Sequence, residues 1–299
     1  MDFVDMLLNR FDGESELKKP TNALVCFTQA ETGKRLSRLA FQIAMSRPEK
    51  SAITLLHLID KKEERQSTEE AWGNQRMIHA DFMPKGERSK ITMRTFVKES
   101  DDHLADITKM TEEQQCNLVL IGINNDELDL KVVERYSRLR SDPANPTATI
   151  LEQFTDSEAR RLQEISSLVS RNSVPTGIFI DKGLTEGNNI FVPILSKADI
   201  HIFTYVHHTA MKESVKIMIW DAIGILESEP KMQKLYQFIV KKTEGRVQLW
   251  NDDRKIEEGF IRRQDLVIIG VNGWVKLINT QLPWKESLPS TLIIKDITT

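Results

Sequence analysis

The chain has 299 residues and a formal charge of −3, with 41 lysines and arginines interspersed among 44 aspartates and glutamates. No basic field is present to hold a nucleic-acid backbone, and the length suits two domains rather than one small core. Two cysteines are too few for a disulfide framework, and no run of about 18 apolar residues is available to span a bilayer.

Residues 1 to 20 read as an N-terminal linker helix. Phe3, Val4, Leu7, Leu8 and Phe11 share one helical face up to Gly13, as in a helix packed on its own domain or a lead-in from a membrane segment. The acidic start, Met1-Asp2-Phe3-Val4-Asp5, differs from the basic opening of a secretory signal. A first domain is expected over residues 21 to 184. Ala23 to Phe27 form a buried strand followed by a polar turn, Thr28 to Gly33, and Leu36, Leu39, Ala40, Ile43 and Ala44 then keep a helical stripe until Pro48. Ile53 to Ile59 is a second strand, and a charged stretch from Lys61 to Met83 suits a weakly periodic helix. Ile91 to Val97 alternates with period two, as a strand nearer a sheet edge does. Ser100 is placed to cap the next helix, with Asp101 and Asp102 in its first turn. Cys26 and Cys116 lie in or beside apolar strands, where reduced, buried thiols are expected.

Asn117 to Asn124, NLVLIGIN, carries no charge, as befits a strand with both faces covered, and it returns as Asp265 to Asn272, DLVIIGVN. Pro175 to Asp181 and Pro289 to Lys295 echo each other in the same way. The chain is therefore a duplication of strand and helix units with parallel sheets and right-handed crossovers. Between the two copies, irregular chain runs from Asn125 to Asn145 and a capped helix begins at Thr155. Gly183 to Gly187 is the connector, and the second domain is expected over residues 187 to 299. There, Ile190 to Leu195 and Ile200 to Val206 both read as strands, with only Ser196 to Asp199 between them. That gap is too short for a parallel crossover. Either the crossover helix is lost and these strands form a hairpin, or one of them is outside the sheet. Val215 to Leu226 is open between strand and helix. Ser228 and Pro230 start a clear helix, Val247 to Trp250 is a strand, and Asp253 to Arg262 is a short helix.

Ligands of such sheets bind beyond the carboxyl ends of the strands, where glycines let backbone amides reach a phosphate. The first such loop offers Gly33 alone, and the second continues as Asn124-Asn125-Asp126-Glu127-Leu128-Asp129, whose acids repel a triphosphate. The second half has Gly273 followed by bulky Trp274. His207 and His208 lie near Asp199, His201 and Asp221, but neighbours on a strand point to opposite faces, so no metal site is expected. Ser166, Ser167 and Ser170 lack a nearby base and read as a solvated helix face. Four of the five tryptophans, Trp220, Trp250, Trp274 and Trp284, fall in the second half; they suit a core, or a surface covered by homodimerisation.

The order of elements, with Asn22 to Phe27 opening the first unit, Leu168 to Leu184 closing it, Asn189 to Pro193 opening the second and Leu266 to Gly270 within it, resembles tandem universal stress protein domains. More specifically, the stretch Gly177-Ile178-Phe179-Ile180-Asp181-Lys182-Gly183 is similar to the hinge in the cytosolic C-terminal region of monovalent cation:proton antiporters of the sodium/hydrogen exchanger type. The resemblance implies an α/β fold of two tandem Rossmann-like units with mostly parallel five-stranded sheets, the second abbreviated. It implies a non-catalytic regulatory or assembly module attached to the membrane transporter domain of the same parent chain, at the cytoplasmic face of the membrane. A stand-alone tandem stress protein binding an adenine nucleotide is the alternative. Nucleotide-binding members of the family carry an Asp after the first strand and spaced glycines after the fourth; this chain has Thr28 and no glycine run after Gly122. Thr28, Ile59 and Gly122 are the positions that carry over to a nucleotide cleft, and no obligatory cofactor is implied.

Overall fold

The computed structural model describes residues 20–45, 51–60, 91–124, 174–250 and 255–296. The linker helix, the stretch from Lys61 to Met83, the segment after Asn124 and the helix from Thr155, with Ser166, Ser167 and Ser170, lie outside them. The first unit runs β1 (Asn22–Phe27), α1 (Ala30–Met45), β2 (Ser51–Asp60), β3 (Ile91–Ser100), α2 (His103–Glu113), β4 (Leu118–Asn124) and β5 (Thr176–Asp181). The second runs β6 (Asn189–Ile194), α3 (Ile202–Ala210), β7 (Lys216–Asp221), α4 (Ile225–Ser228), α5 (Pro230–Lys242), β8 (Val247–Leu249), α6 (Glu258–Ile261), β9 (Leu266–Gly270), α7 (Val271–Asn279) and β10 (Ser290–Lys295).

The ten strands of the described residues join one sheet in the order β3-β2-β1-β4-β5-β10-β9-β6-β7-β8. Each unit thus has the same internal order, and the units meet where β5 and β10 pair antiparallel, Phe179 opposite Leu292 and Ile178 opposite Ile293. Every other pairing is parallel. The architecture is α/β, two units of five strands each, and the two separate five-stranded sheets expected are fused into one continuous, mostly parallel sheet. The duplication extends to single hydrogen bonds. Asn117 N donates to Asn22 O at 2.8 Å and its side-chain oxygen accepts from Asn22 N at 2.9 Å. Asp265 repeats both contacts with Asn189, at 2.8 and 2.9 Å.

Strand position explains strand composition. β5 and β9, inside the sheet, are buried at every residue, whereas β3, at the edge, alternates buried or half-buried with exposed positions. Alternate side chains of β1 feed two apolar cores: Ala23, Val25 and Phe27 on one face, Leu24 and Cys26 on the other. Each core continues into the second unit, so the seam adds buried apolar area as well as backbone hydrogen bonds. Both cysteines are buried and free. Burial raises both thiols, that of Cys116 to about 11.

Several expectations are corrected. Ile200 to Val206 is not a strand. Its apolar run forms α3, which returns the chain from β6 to a parallel β7, so the second unit keeps its first crossover. Its brevity lies elsewhere, since β9 and β10 are separated by one short helix and a turn, whereas the first unit spends residues 125–175 between β4 and β5. Val215 to Leu226 divides into β7 and α4, and the expected helix from Asp253 is described only as Glu258–Ile261. Asp102, not Ser100, caps α2, its side chain accepting from Ala105 N at 3.0 Å. The polar turn after β1 is shorter than expected, because α1 starts at Ala30.

Candidate functional site

In each unit the chain leaves the middle of its sheet in opposite directions, between β1 and β4 and between β6 and β9. These switch points are where open α/β sheets hold ligands.

At the first, Thr28, Ile59 and Gly122 all lie toward the carboxyl edge of β1, β2 and β4. Thr28 is exposed. Its carbonyl oxygen is 2.9 Å from His57 Nε2, which therefore carries the proton, because a carbonyl only accepts. The His57 ring stacks on Phe27 with centroids 5.0 Å apart. Burial lowers the His57 pKa, partly opposed by that hydrogen bond. Ile59 is buried. Gly122 lies under the first turns of α1, where an added Cβ would stand 2.7 Å from Thr32 Cγ2 and 3.3 Å from Leu36 Cδ2. Its lack of a side chain admits the helix to the strand. The chain after Asn124 lies outside the described residues.

Beside this edge, Asp181 ends β5 and is almost fully buried. One carboxylate oxygen accepts from Thr32 Oγ1 and Arg35 Nη1, both at 2.9 Å; the other accepts from Gly183 N at 2.9 Å and Leu184 N at 3.3 Å. Gly183 turns the chain with φ of 88°, a conformation that suits glycine. The following Lys182 donates from its backbone to Ser290 Oγ and from Nζ to Leu288 O, both at 2.9 Å. The hinge sequence is thus a fastening: Asp181 ties it to α1 and Lys182 ties it to the start of β10. The motif is legible in the sequence but the partner of Asp181 is not, since Thr32 is 149 residues away.

At the second switch point, Asp199 ends a 3₁₀ turn (Lys197–Asp199) after β6 and is 1% exposed. Its carboxylate accepts from Asn272 N and Asn272 Nδ2, both at 3.2 Å, and from Gly273 N. These groups are the opening turn of α7. The short second-half loop expected around Gly273 is this helix start, because β9 stops at Gly270 and Val271-Asn272 are helical. A Cβ on Gly270 would fall 2.2 Å from Asp199 Cγ, and one on Gly273 would fall 2.9 Å from Asp199 Oδ2. Burial raises the Asp199 pKa, and the hydrogen bonds from Gly273 and Asn272 and nearby His201 pull it back. His201, also buried, sits with Nδ1 3.2 Å from Ala198 O and Nε2 3.2 Å from Ile294 O, tying the turn to β10. In the sequence Asp199 stands out only as a neighbour of the histidines. The signal in the sequence is an acid soon after the first strand of a unit, with two glycines three apart, one ending its fourth strand and one following it.

His207 and His208 lie on α3 rather than on a strand, both buried, with ring centroids 5.7 Å apart. His207 stacks on Phe238 at 6.2 Å, and burial, helped by Lys242, lowers its pKa. Among the described residues no three His, Cys, Asp or Glu side chains gather as a metal site would require. Trp284 packs with Phe191 and Trp220 at centroid separations of 6.2 and 6.1 Å, and Phe260 joins Phe191 to Trp250. The crowding of aromatic residues in the second half is largely core. Among the described residues no helix is long and apolar enough to cross a membrane.

No protein-family profile and no curated protein matches the chain. Among solved structures it is similar to a functionally unknown protein from Pseudomonas aeruginosa PAO1, at 12% identity and a TM-score of 0.46, over 93% of this chain and 94% of that one. It is also similar to a candidate universal stress protein from Pseudomonas aeruginosa UCBPP-PA14, again at 12% identity and 0.46, over 94% and 96%. The fold assignment rests on the strand order and the seam.

Proposed function

We propose that this chain is a non-catalytic regulatory or assembly module, the cytoplasmic tandem region of a monovalent cation:proton antiporter. The observation that supports a scaffold over a catalyst is that acids near both switch points are consumed internally, Asp181 by Thr32, Arg35 and the hinge, Asp199 by the start of α7. Buried carboxylates held in this way join elements of the fold and keep little capacity to accept from a substrate. The transporter attachment rests on the resemblance of the hinge stretch Gly177 to Gly183. Such a module biases the conformational equilibrium of an attached domain through differential contacts. The test is sodium- and pH-driven exchange in everted membrane vesicles, comparing the complete parent chain with one lacking residues 21 to 299. Loss of the module should shift the pH or cation dependence of exchange and leave ion selectivity intact. A reading frame without upstream membrane helices, or unchanged exchange, overturns the reading.

The adenine-nucleotide alternative keeps Thr28, Ile59 and Gly122 as its cleft. It predicts saturable heat on titration with ATP, whereas a scaffold predicts none.

A further inference from the structure

We infer that Asp199 is an internal anion that plugs the switch point of the second unit, so that this end of the sheet is closed by the chain's own carboxylate. Four independent features of the structure point there. The carboxylate belongs to a different element from the helix it caps, 74 residues away, while the local N-cap residue of α7, Gly270, offers no side-chain hydrogen bond. It is 1% exposed, so it is no incidental surface cap. The side chain fills the room left by two glycines, since a Cβ on Gly270 or on Gly273 would collide with it. Finally, Asp199 follows β6 and the glycines end and follow β9, the two parallel strands between which the strand order reverses. Backbone amides at a helix start, glycine clearance and a switch point are together the requirements for seating an oxyanion, and here a side-chain carboxylate meets them.

The first unit makes the contrast. The glycine at the matching place in its fourth strand, Gly122, is overlain by Thr32, and that side chain turns sideways to Asp181. The methyl of Thr32 therefore stands over this glycine, where the second unit has a carboxylate. The inference rests on the closed, non-catalytic reading of the second unit and not on attachment to a transporter, so its test leaves the vesicle assay independent.

The experiment is chemical rescue in the complete chain. Asp199→Gly removes the carboxylate and leaves a carboxylate-sized space facing the amides of Asn272 and Gly273; Asp199→Asn keeps the volume and removes the charge. Melting is followed by fluorescence, to which Trp274, buried in the first turn of α7, contributes. Sodium formate and inorganic phosphate are each added to about 50 mM, against sodium chloride of equal ionic strength. The wild type should respond to them as it does to chloride. Asp199→Gly should melt several degrees lower and recover a saturable part of the loss with formate or phosphate. Asp199→Asn, whose side chain still fills the space, should show no rescue. Equal responses of Asp199→Gly to chloride and to the oxyanions would overturn the inference, as would wild-type stabilisation by phosphate matching that of the variant. If Asp199→Gly does not fold, Asp199→Ala takes its place in the same titrations, and equal responses to chloride and to the oxyanions refute the plug.

Discussion

Replacing Asp181 by alanine is the most direct test of how the two units are fastened. The carboxylate has four donors: the Thr32 hydroxyl, the Arg35 guanidinium, and the amides of Gly183 and Leu184. Its side chain is 2% exposed and that of Arg35 is 30% exposed, so the arginine can turn partly to solvent while the buried hydroxyl and Leu184 amide cannot. Removing one partner of a buried charged pair costs about 3–5 kcal/mol, and each neutral donor left unmet adds roughly 1 kcal/mol less whatever water recovers. Allowing for the partial exposure of Arg35, a net loss of about 3–5 kcal/mol is expected for Asp181→Ala. Asp181→Asn, which keeps an acceptor and drops the charge, should lose about 1–2 kcal/mol. The assay is urea unfolding followed by tryptophan fluorescence. A double-mutant cycle with Arg35→Met separates the ion pair from the hinge amides. Because β5 also carries the seam, the loss should appear in the single transition expected of a continuous sheet. A loss below about 0.5 kcal/mol would refute the reasoning, as would a cycle showing no coupling to Arg35.

Three other outcomes follow from buried groups of the fold. His57 and His207 both have pKa values below the ordinary histidine range because burial disfavours their charged forms. Stability should be complete above about pH 6.5, where unfolded histidine is neutral, and should decline as pH falls toward the lowered folded values. Melting at pH 5.5 should therefore lie a few degrees below that at pH 7.5, and the gap should shrink in His57→Gln and in His207→Gln; an unchanged gap in the double variant would contradict this. Asp199 has the opposite sign in a more acidic window: its raised pKa contributes stability below about pH 4 that is lost as pH rises through the folded value. Gly122→Ala should cost about 1–3 kcal/mol from its clash with Thr32 Cγ2, and Thr32→Ser in the same chain should restore most of it, because serine lacks that methyl and keeps the hydroxyl bonded to Asp181. Urea midpoints of the single and double variants decide it.

The duplication, the parallel sheet and the edge position of β3 were legible in the sequence because they depend on patterns of apolar residues along a few consecutive positions. A strand covered on both faces must be apolar along its buried length, as Leu118 to Ile123 and Leu266 to Gly270 are, and a strand at the edge can alternate, as Ile91 to Val97 does. Such periodicity cannot separate a short buried strand from a buried helix, and Ile200 to Val206 became α3 because β6 and β7 run parallel and need a crossover between them. The partners of Asp181 and Asp199 were beyond the sequence altogether. Each carboxylate meets donors that the chain brings close only by completing the sheet, Thr32 on α1 for one and the start of α7 for the other. Local sequence determined which segments could be strands; tertiary packing decided which acids became internal fastenings, because a buried carboxylate takes whichever donors the finished fold aims at it.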